Sequence, residues 1–286
     1  MIEIAIMLEG QMGLNWQRLE AIAHKVEELG FVGLYRSDHF TNPSPPDMDS
    51  LELWTSLTWL ASQTTRIEFG PLVAPFSFRH PSNMARMAAA VDDLSGGRLR
   101  LGLGAGWQAR EHDNYGFELG SVAQRLARLE EGLEVVTRLL GSAEPVSYQG
   151  EFYTLHDAIL LPRPQRPGGP PIVVGGNGIQ RILPLAARYA AEWNGTSMPV
   201  ADYSQRCRRL DELLEQAGRK PTDLRRSLMV GTIFGRTEPE ALEIARRWGP
   251  SSLDQLRERG TLAGTGEQIA EQIGAYAEAG CQRIML

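Results

Sequence analysis

Cysteine is nearly absent from this chain. Cys207 and Cys281 are the only two in 286 residues. They are far apart in sequence and cannot build a disulfide framework or a zinc site alone, so a reducing, cytoplasmic setting is the expectation. No apolar run approaches the ~20 residues of a membrane span. The opening Met1-Ile2-Glu3-Ile4-Ala5-Ile6-Met7-Leu8 has no basic leader and carries Glu3, so it reads as a strand, not a signal peptide. Positive charge is not in excess: 29 Lys and Arg face 35 Asp and Glu, a net charge of −6. That balance argues against a broad nucleic-acid surface while leaving room for one small phosphate site. His24, His39, His80, His112 and His156 are scattered without ligand spacing, so no metal site is expected.

What is present is alternation. A length of 286 residues suits one (β/α)8 TIM barrel, which typically takes ~250. Apolar runs of strand length fall at Ile2–Leu8, Phe31–Tyr35, Ile67–Val73, Leu99–Leu103, Ile172–Val174, Glu192–Asn194, Leu228–Phe234 and Cys281–Leu286. Helical periodicity falls between them at Trp16–Leu29, Leu51–Gln63, Ser82–Leu94, Ser121–Leu140, Ile179–Tyr189, Tyr203–Ala217, Pro239–Trp248 and Gly266–Ala279. Continuous apolar strands separated by helices predict a parallel sheet covered by helices, and eight such units predict closure into a barrel. After the fourth helix, residues 146–171 have a different texture. Tyr148-Gln149-Gly150-Glu151-Phe152-Tyr153 reads as a hairpin turning at Gly150, and five prolines follow between Leu161 and Pro171. This stretch is expected to be an insertion within one domain spanning residues 1–286. The chain ends with strand eight, so the closing helix of such a barrel is expected to be missing.

In a barrel the chemistry sits at the carboxyl ends of the strands. The densest signal is Gly102-Leu103-Gly104-Ala105-Gly106-Trp107, an apolar strand running into alternating glycines and a tryptophan. It reads as a strand ending at a pocket for a flat, bulky ligand. Gly175-Gly176-Asn177-Gly178 follows a buried strand and opens a helix, a favourable place for a phosphate, with Arg181 one turn on. A plain tight turn would read the same way. Asp38-His39 closes strand two, where an imidazole can carry a proton, although such a pair can equally order a loop. Arg79-His80-Pro81 reads as a rim cation for an anionic tail or, more often, as a structural salt bridge. Glu111-His112 and Tyr115-Gly116 read as holding the Trp107 loop, and Gly235-Arg236 as the end of strand seven.

These residues together resemble the luciferase-like monooxygenase superfamily, and within it the coenzyme F420-dependent oxidoreductases. The resemblance rests on Asp38-His39-Phe40, Arg79-His80-Pro81, Leu94-Ser95-Gly96-Gly97-Arg98-Leu99, Gly104-Ala105-Gly106-Trp107, Glu111 with Tyr115-Gly116, Gly150 with Phe152-Tyr153, Gly175-Gly176 and Trp193-Asn194. It implies a barrel with insertions, F420 as cofactor, and hydride transfer between the deazaflavin C5 and a small organic substrate. It implies a non-proline cis peptide bulge backing the ring at Leu72–Val73, running on to Ala74. It gives Asp38 and His39 the ring's polar edge and the reacting centre, with His39 carrying the proton. Gly106 and Trp107 become a wall of the ring site, and Gly175, Gly176, Asn177 and Gly178 the phosphate loop. Two departures stand out. The family often has Ala-Asp-Gly-Trp where this chain has Ala190-Ala191-Glu192-Trp193, and its sugar-oxidising members have an acidic residue at Trp107, which argues against a sugar phosphate as substrate. The alternative on the same barrel is an FMN-dependent monooxygenase fed reduced flavin by a reductase. A non-catalytic flavin-binding protein is a third. A homodimer is the family expectation, with an F420-reducing dehydrogenase as an indirect partner.

Overall fold

The computed structural model describes residues 2–247, 249 and 252–286. Trp248, the expected end of a helix, lies outside them. The chain divides into two compact units, one of Ile6–Gly175 with Tyr189–Ala191, the other of the remaining residues.

The first unit takes in most of β1 (Glu3–Leu8), then α1 (Trp16–Glu28), β2 (Gly33–Arg36), α2 (Leu53–Gln63), β3 (Glu68–Pro71), β4 (Ala74–Pro75), α3 (Pro81–Leu94), β5 (Leu101–Gly104), α4 (Ala109–Tyr115), α5 (Val122–Gly141), the hairpin β6 (Val146–Gln149) and β7 (Thr154–Ala158), and β8 (Ile172–Gly175). Parallel pairing runs from β1 to β2 to β3, and from β4 to β5 to β8. The expected third strand is broken in two. The peptide between Leu72 and Val73 is cis, as the resemblance implied, and it separates β3 from β4. Leu34, Phe69, Leu101, Leu103 and Val173 on the strands are buried, as are Leu57, Ala85, Ala88 and Val136 on the helices, as expected where helices cover a parallel sheet.

The sequence explains how the helices are fixed. Gly96 and Gly97 sit at φ 68° and 87° and turn the chain directly after α3. Arg98 then donates to the carbonyls of Ala61 and Thr64, both at 2.8 Å, and of Ile67 at 3.0 Å. It thereby satisfies carbonyls that the end of α2 leaves open. The Gly-Gly-Arg of the motif is thus architectural. The hairpin turns at Gly150, as expected, and Glu131 on α5 holds it by accepting from the amides of Glu151, Phe152 and Tyr153.

The second unit continues with α6 (Ile182–Tyr189), β9 (Glu192–Thr196), α7 (Val200–Gln216), a 3-10 turn at Pro221–Asp223, β10 (Arg225–Met229), β11 (Thr232–Phe234), α8 (Glu238–Arg246), α9 (Leu253–Glu258), β12 (Leu262–Gly264), α10 (Gly266–Glu278) and β13 (Arg283–Met285). The opening of β1 pairs with β13, β13 with β10, and β10 with β9, all parallel. Two expectations fail here. The run Leu228–Phe234 is two strands, because Gly231 interrupts it and β11 leaves to pair with β12. Gly235-Arg236 therefore ends a side strand and carries no strand-seven site. Helix six begins at Ile182, three residues late, because Ile179–Arg181 forms a turn first. Pro184 falls in the opening of that helix, where an amide is not needed.

Glu192, where the family often has a glycine, opens β9 as a buried carboxylate. It lies 3.6 Å from Arg283 and 3.7 Å from Arg225, and Arg283 also pairs with Glu3 at 2.6 Å. These four residues tie the starts of β1, β9, β10 and β13 together.

Candidate functional site

In the first unit, Asp38 and His39 directly follow β2, and the strand end is held rigid. Arg36 is buried. It donates to the Ser56 hydroxyl at 2.6 Å and the Leu51 carbonyl at 2.7 Å, while the Ser37 hydroxyl accepts the Gly10 amide at 2.9 Å. These bonds fix the backbone from which His39 projects.

His39 meets a partner 72 residues further on. Its Nδ1 lies 2.8 Å from Oε1 of Glu111, while Oε2 of the same carboxylate accepts the Phe40 amide at 2.9 Å. Glu111 is only 1% exposed. Burial alone would lower the His39 pKa. The Glu111 hydrogen bond and charge, with smaller contributions from Glu9 and Asp38, outweigh it and raise the value. For Glu111, burial favours the neutral acid, yet His39, the Phe40 amide and Gln108 together hold its pKa below the ordinary value. Glu111 was expected only to hold the Trp107 loop. Its position on the short polar helix α4, which has too few apolar residues to show a periodicity, hid this role.

Helix α4 is itself pinned. Gln108 donates to the Thr41 carbonyl at 2.9 Å, and Arg110 reaches both carboxylate oxygens of Asp47 at 2.7 Å. The Phe40 ring packs 4.8 Å from Tyr115 and Phe78 and 5.7 Å from Phe117. His112 stacks on Phe78 and bonds the Gln108 carbonyl and the Ser77 hydroxyl.

Trp107 stands 5.5 Å from the His39 ring in an edge-on arrangement at 83°, and it is 59% exposed. A large aromatic this open beside a partly buried imidazole offers an apolar face to a ligand. Gly106, with φ 76°, makes the turn that presents it, and its carbonyl accepts from Arg125 at 2.8 Å.

Asp38 is 6% exposed and takes a forked contact from Arg79, whose Nη2 also donates to Glu52 at 2.9 Å. Burial raises the Asp38 pKa against the pull of Arg79. Arg79 is thus committed to two carboxylates, the structural salt bridge that is the more frequent of its two readings, and not a rim cation for an anionic tail. His80 is committed as well, since it caps α3 by accepting from the Ser82 amide at 3.2 Å.

The bulge at Leu72–Val73 explains the alternating glycines. A Cβ on Gly104 would come 2.2 Å from Val73 Cγ2, and one on Gly175 would come 2.7 Å from Val73 Cγ1. Gly104 and Gly175 make room for the Val73 side chain rather than for a ligand directly, while Ala74 is fully buried in β4.

In the second unit, Gly176 (φ 129°) donates its amide to the Asn194 carbonyl at 2.9 Å, and its own carbonyl accepts from the Trp193 indole at 2.9 Å. The Asn177 side chain exchanges two bonds with the Thr196 backbone, at 2.7 and 2.8 Å. Gly178 precedes the turn, and its carbonyl takes the amides of Ile182 and Leu183. The loop's side chain is therefore spent on holding its shape, and its backbone is what a phosphate would meet. Among the described residues no group of His, Cys, Asp and Glu is placed to hold a metal, and no helix is long and apolar enough to cross a membrane.

Comparison with known proteins places the chain among related sequences and folds. The family model for luciferase-like monooxygenases matches residues 3–256. An F420-dependent glucose-6-phosphate dehydrogenase of Kineococcus radiotolerans is 31% identical over 238 residues, covering 82% of this chain and 69% of the relative. An F420-dependent secondary alcohol dehydrogenase, solved with an F420–acetone adduct, superposes with a TM-score of 0.88 at 19% identity, over 100% of this chain and 92% of that one. A monooxygenase from Streptomyces bottropensis superposes at 0.80 with 22% identity, over 100% and 92%. The structural likenesses show the fold, a (β/α)8 TIM barrel. The chain belongs to the luciferase-like monooxygenase family.

Proposed function

We propose that this chain is an F420-dependent oxidoreductase that moves a hydride between the cofactor and a small organic substrate, with His39 carrying the accompanying proton. The observation behind the reading is the His39–Glu111 pair set edge-on beside an exposed Trp107. The residues of the first unit suit a flat ring with a polar edge. Leu72, Val73 and Ala74 form an apolar bulge, Gly106 and Trp107 a second apolar face, and Asp38 and His39 supply polar groups at the end of β2. The relatives' dependence on F420 supports the same cofactor here. When bound, F420 supplies the two-electron hydride donor or acceptor at its C5. His39 takes the hydroxyl proton when an alcohol is oxidised and returns it when a carbonyl is reduced. Gly175, Gly176, Asn177 and Gly178 are proposed to meet a phosphate through their backbone. The proposed setting is the cytosol, with a homodimer as the working form and a separate dehydrogenase restoring the cofactor.

The test is a parallel titration of the purified protein with F420 and with FMN, read by fluorescence. Tight binding of F420 with weak binding of FMN supports the proposal. A preference for FMN overturns it and assigns the chain to the FMN-dependent monooxygenase reading.

A further inference from the structure

We infer that Glu111 is a positioning residue that fixes His39 in the tautomer with its proton on Nδ1, leaving Nε2 as the atom that exchanges a proton with substrate. The assignment of Nε2 to substrate rests on the function proposed above, whereas the tautomer rests on geometry alone.

The chemistry of each atom limits its role. A backbone amide only donates, so Oε2 of Glu111 must accept from Phe40 at 2.9 Å. The other oxygen, Oε1, faces Nδ1 of His39 at 2.8 Å. A carboxylate serving an amide on one side is best satisfied by a second donor on the other, and a neutral imidazole can supply it only with its proton on Nδ1. The reverse tautomer would set a lone pair against a buried carboxylate oxygen. That arrangement has no hydrogen bond and is repulsive, at a buried site where such errors are costly.

The charged groups around His39 agree. Glu111 on α4, Glu9 after β1 and Asp38 at the end of β2 all favour the imidazolium. Arg79 and Arg36 are cations of this neighbourhood; the Arg79 fork is turned to Asp38 and Glu52, and Arg36 to the Ser56 hydroxyl and the Leu51 carbonyl. Arg110, next to Glu111 in sequence, is turned to Asp47. His112 is bonded to Gln108 and Ser77. Helix α4 cannot easily carry Glu111 away, since Gln108 and Arg110 bind it to the segment after His39.

The consequence is a polarised base. With the proton fixed on Nδ1 and a carboxylate behind it, Nε2 keeps its lone pair towards a substrate hydroxyl. Accepting that proton produces an imidazolium that Glu111 stabilises. Returning it to a carbonyl substrate restores the neutral ring.

The experiment is long-range proton–nitrogen NMR on the ligand-free protein, with His39→Gln used to assign the His39 ring. The expected result for wild type at high pH is a protonated Nδ1 and an unprotonated Nε2, with a His39 pKa above the free-imidazole value. In Glu111→Gln the pKa should fall by about one unit or more, because the carboxylate that stabilises the imidazolium is gone. The low-pH limb of kcat/KM should move down with it, while F420 binding changes less than about threefold. Wild-type protein with its proton on Nε2 overturns the proposal, even if the variant does not fold. So does an unchanged His39 pKa in a folded Glu111→Gln protein. A failure to bind F420 would sink the functional reading and leave the tautomer measurement standing.

Discussion

The side chain of Val73 fills the space that a side chain at Gly104 would need, since a Cβ there would approach Val73 Cγ2 to 2.2 Å. Val73 directly precedes β4, which pairs with β5 at Ala74 and Leu103, and Gly104 ends β5. The glycine at the end of β5 is therefore a packing requirement of the bulge between β3 and β4. Gly104→Ala should destabilise the protein by roughly 1–3 kcal/mol, the usual cost of overpacking a full core. Urea unfolding measures this through its midpoint. Val73→Ala in the Gly104→Ala background should recover part of the loss, because it removes the clashing methyls. If the single variant unfolds at the wild-type midpoint, the close approach is not a constraint in solution.

His39→Gln should lower turnover by about 10²–10⁴-fold, the range lost when a positioned acid–base group is removed. Cofactor binding should remain within a few-fold of wild type, since the apolar faces at Val73 and Trp107 are untouched. Stopped-flow hydride transfer together with an equilibrium titration separates the two effects. Loss of binding with unchanged chemistry in the bound fraction would reassign His39 from proton transfer to cofactor recognition.

Arg79 and Asp38 form a partly shielded ion pair, with side chains 15% and 6% exposed. Arg79→Ala leaves the Asp38 charge without its main partner and should cost about 3 kcal/mol or more. Arg79→Lys should recover only part of that, because one ammonium cannot reproduce the fork that spans Asp38 and Glu52. The pH dependence has a definite sign. Burial already raises the Asp38 pKa, and losing Arg79 raises it further. A carboxyl whose folded pKa lies above its unfolded value favours the native state at low pH and loses that contribution as pH rises through the folded pKa. The deficit of Arg79→Ala should therefore be larger at pH 8 than at pH 5. Thermal melts at the two pH values check this, and an equal deficit would mean that Asp38 is solvated in the variant and stays ionised at both pH values.

These relationships mark where sequence reasoning ends. Strand and helix alternation was legible because buried parallel strands are continuously apolar and helices repeat every three to four residues. The rim residues Asp38, His39, Gly106 and Trp107 were legible because they follow such runs directly. Glu111 was named, but its bond to His39 was not, since 72 residues separate the two and no local pattern encodes that meeting. The same distance problem hid Arg79 from Asp38, 41 residues away. The glycine pattern gave the right place for a wrong immediate reason, because which neighbour approaches Gly104 is decided by the bulge in another strand. Gly231 was too slight a signal to divide one apolar run into β10 and β11, and the three-residue β12 was too short to read as a strand.

Opposite pKa shifts on Glu111 and His39 define a pH window for the stability of the pair. The folded His39 pKa is raised, so its contribution is fully present below the ordinary histidine value of about 6.5 and is lost as pH rises through the folded value. The folded Glu111 pKa is lowered, so its contribution is present above the ordinary glutamate value of about 4.3 and is lost as pH falls through the folded value. Both are complete only between about pH 4.3 and 6.5. The difference in melting temperature between wild type and Glu111→Gln should accordingly peak near pH 5.5 and shrink towards pH 9. It should not vanish at high pH, because the neutral imidazole and the Phe40 amide still donate to the carboxylate. Each arm has its own control. In His39→Gln the decline above pH 6.5 should disappear, while the acid-side loss should persist in weakened form through the Phe40 amide. A wild-type-to-variant difference that instead grows with pH would require a His39 pKa lowered by burial, and Glu111 would then have failed to offset the desolvation of the ring.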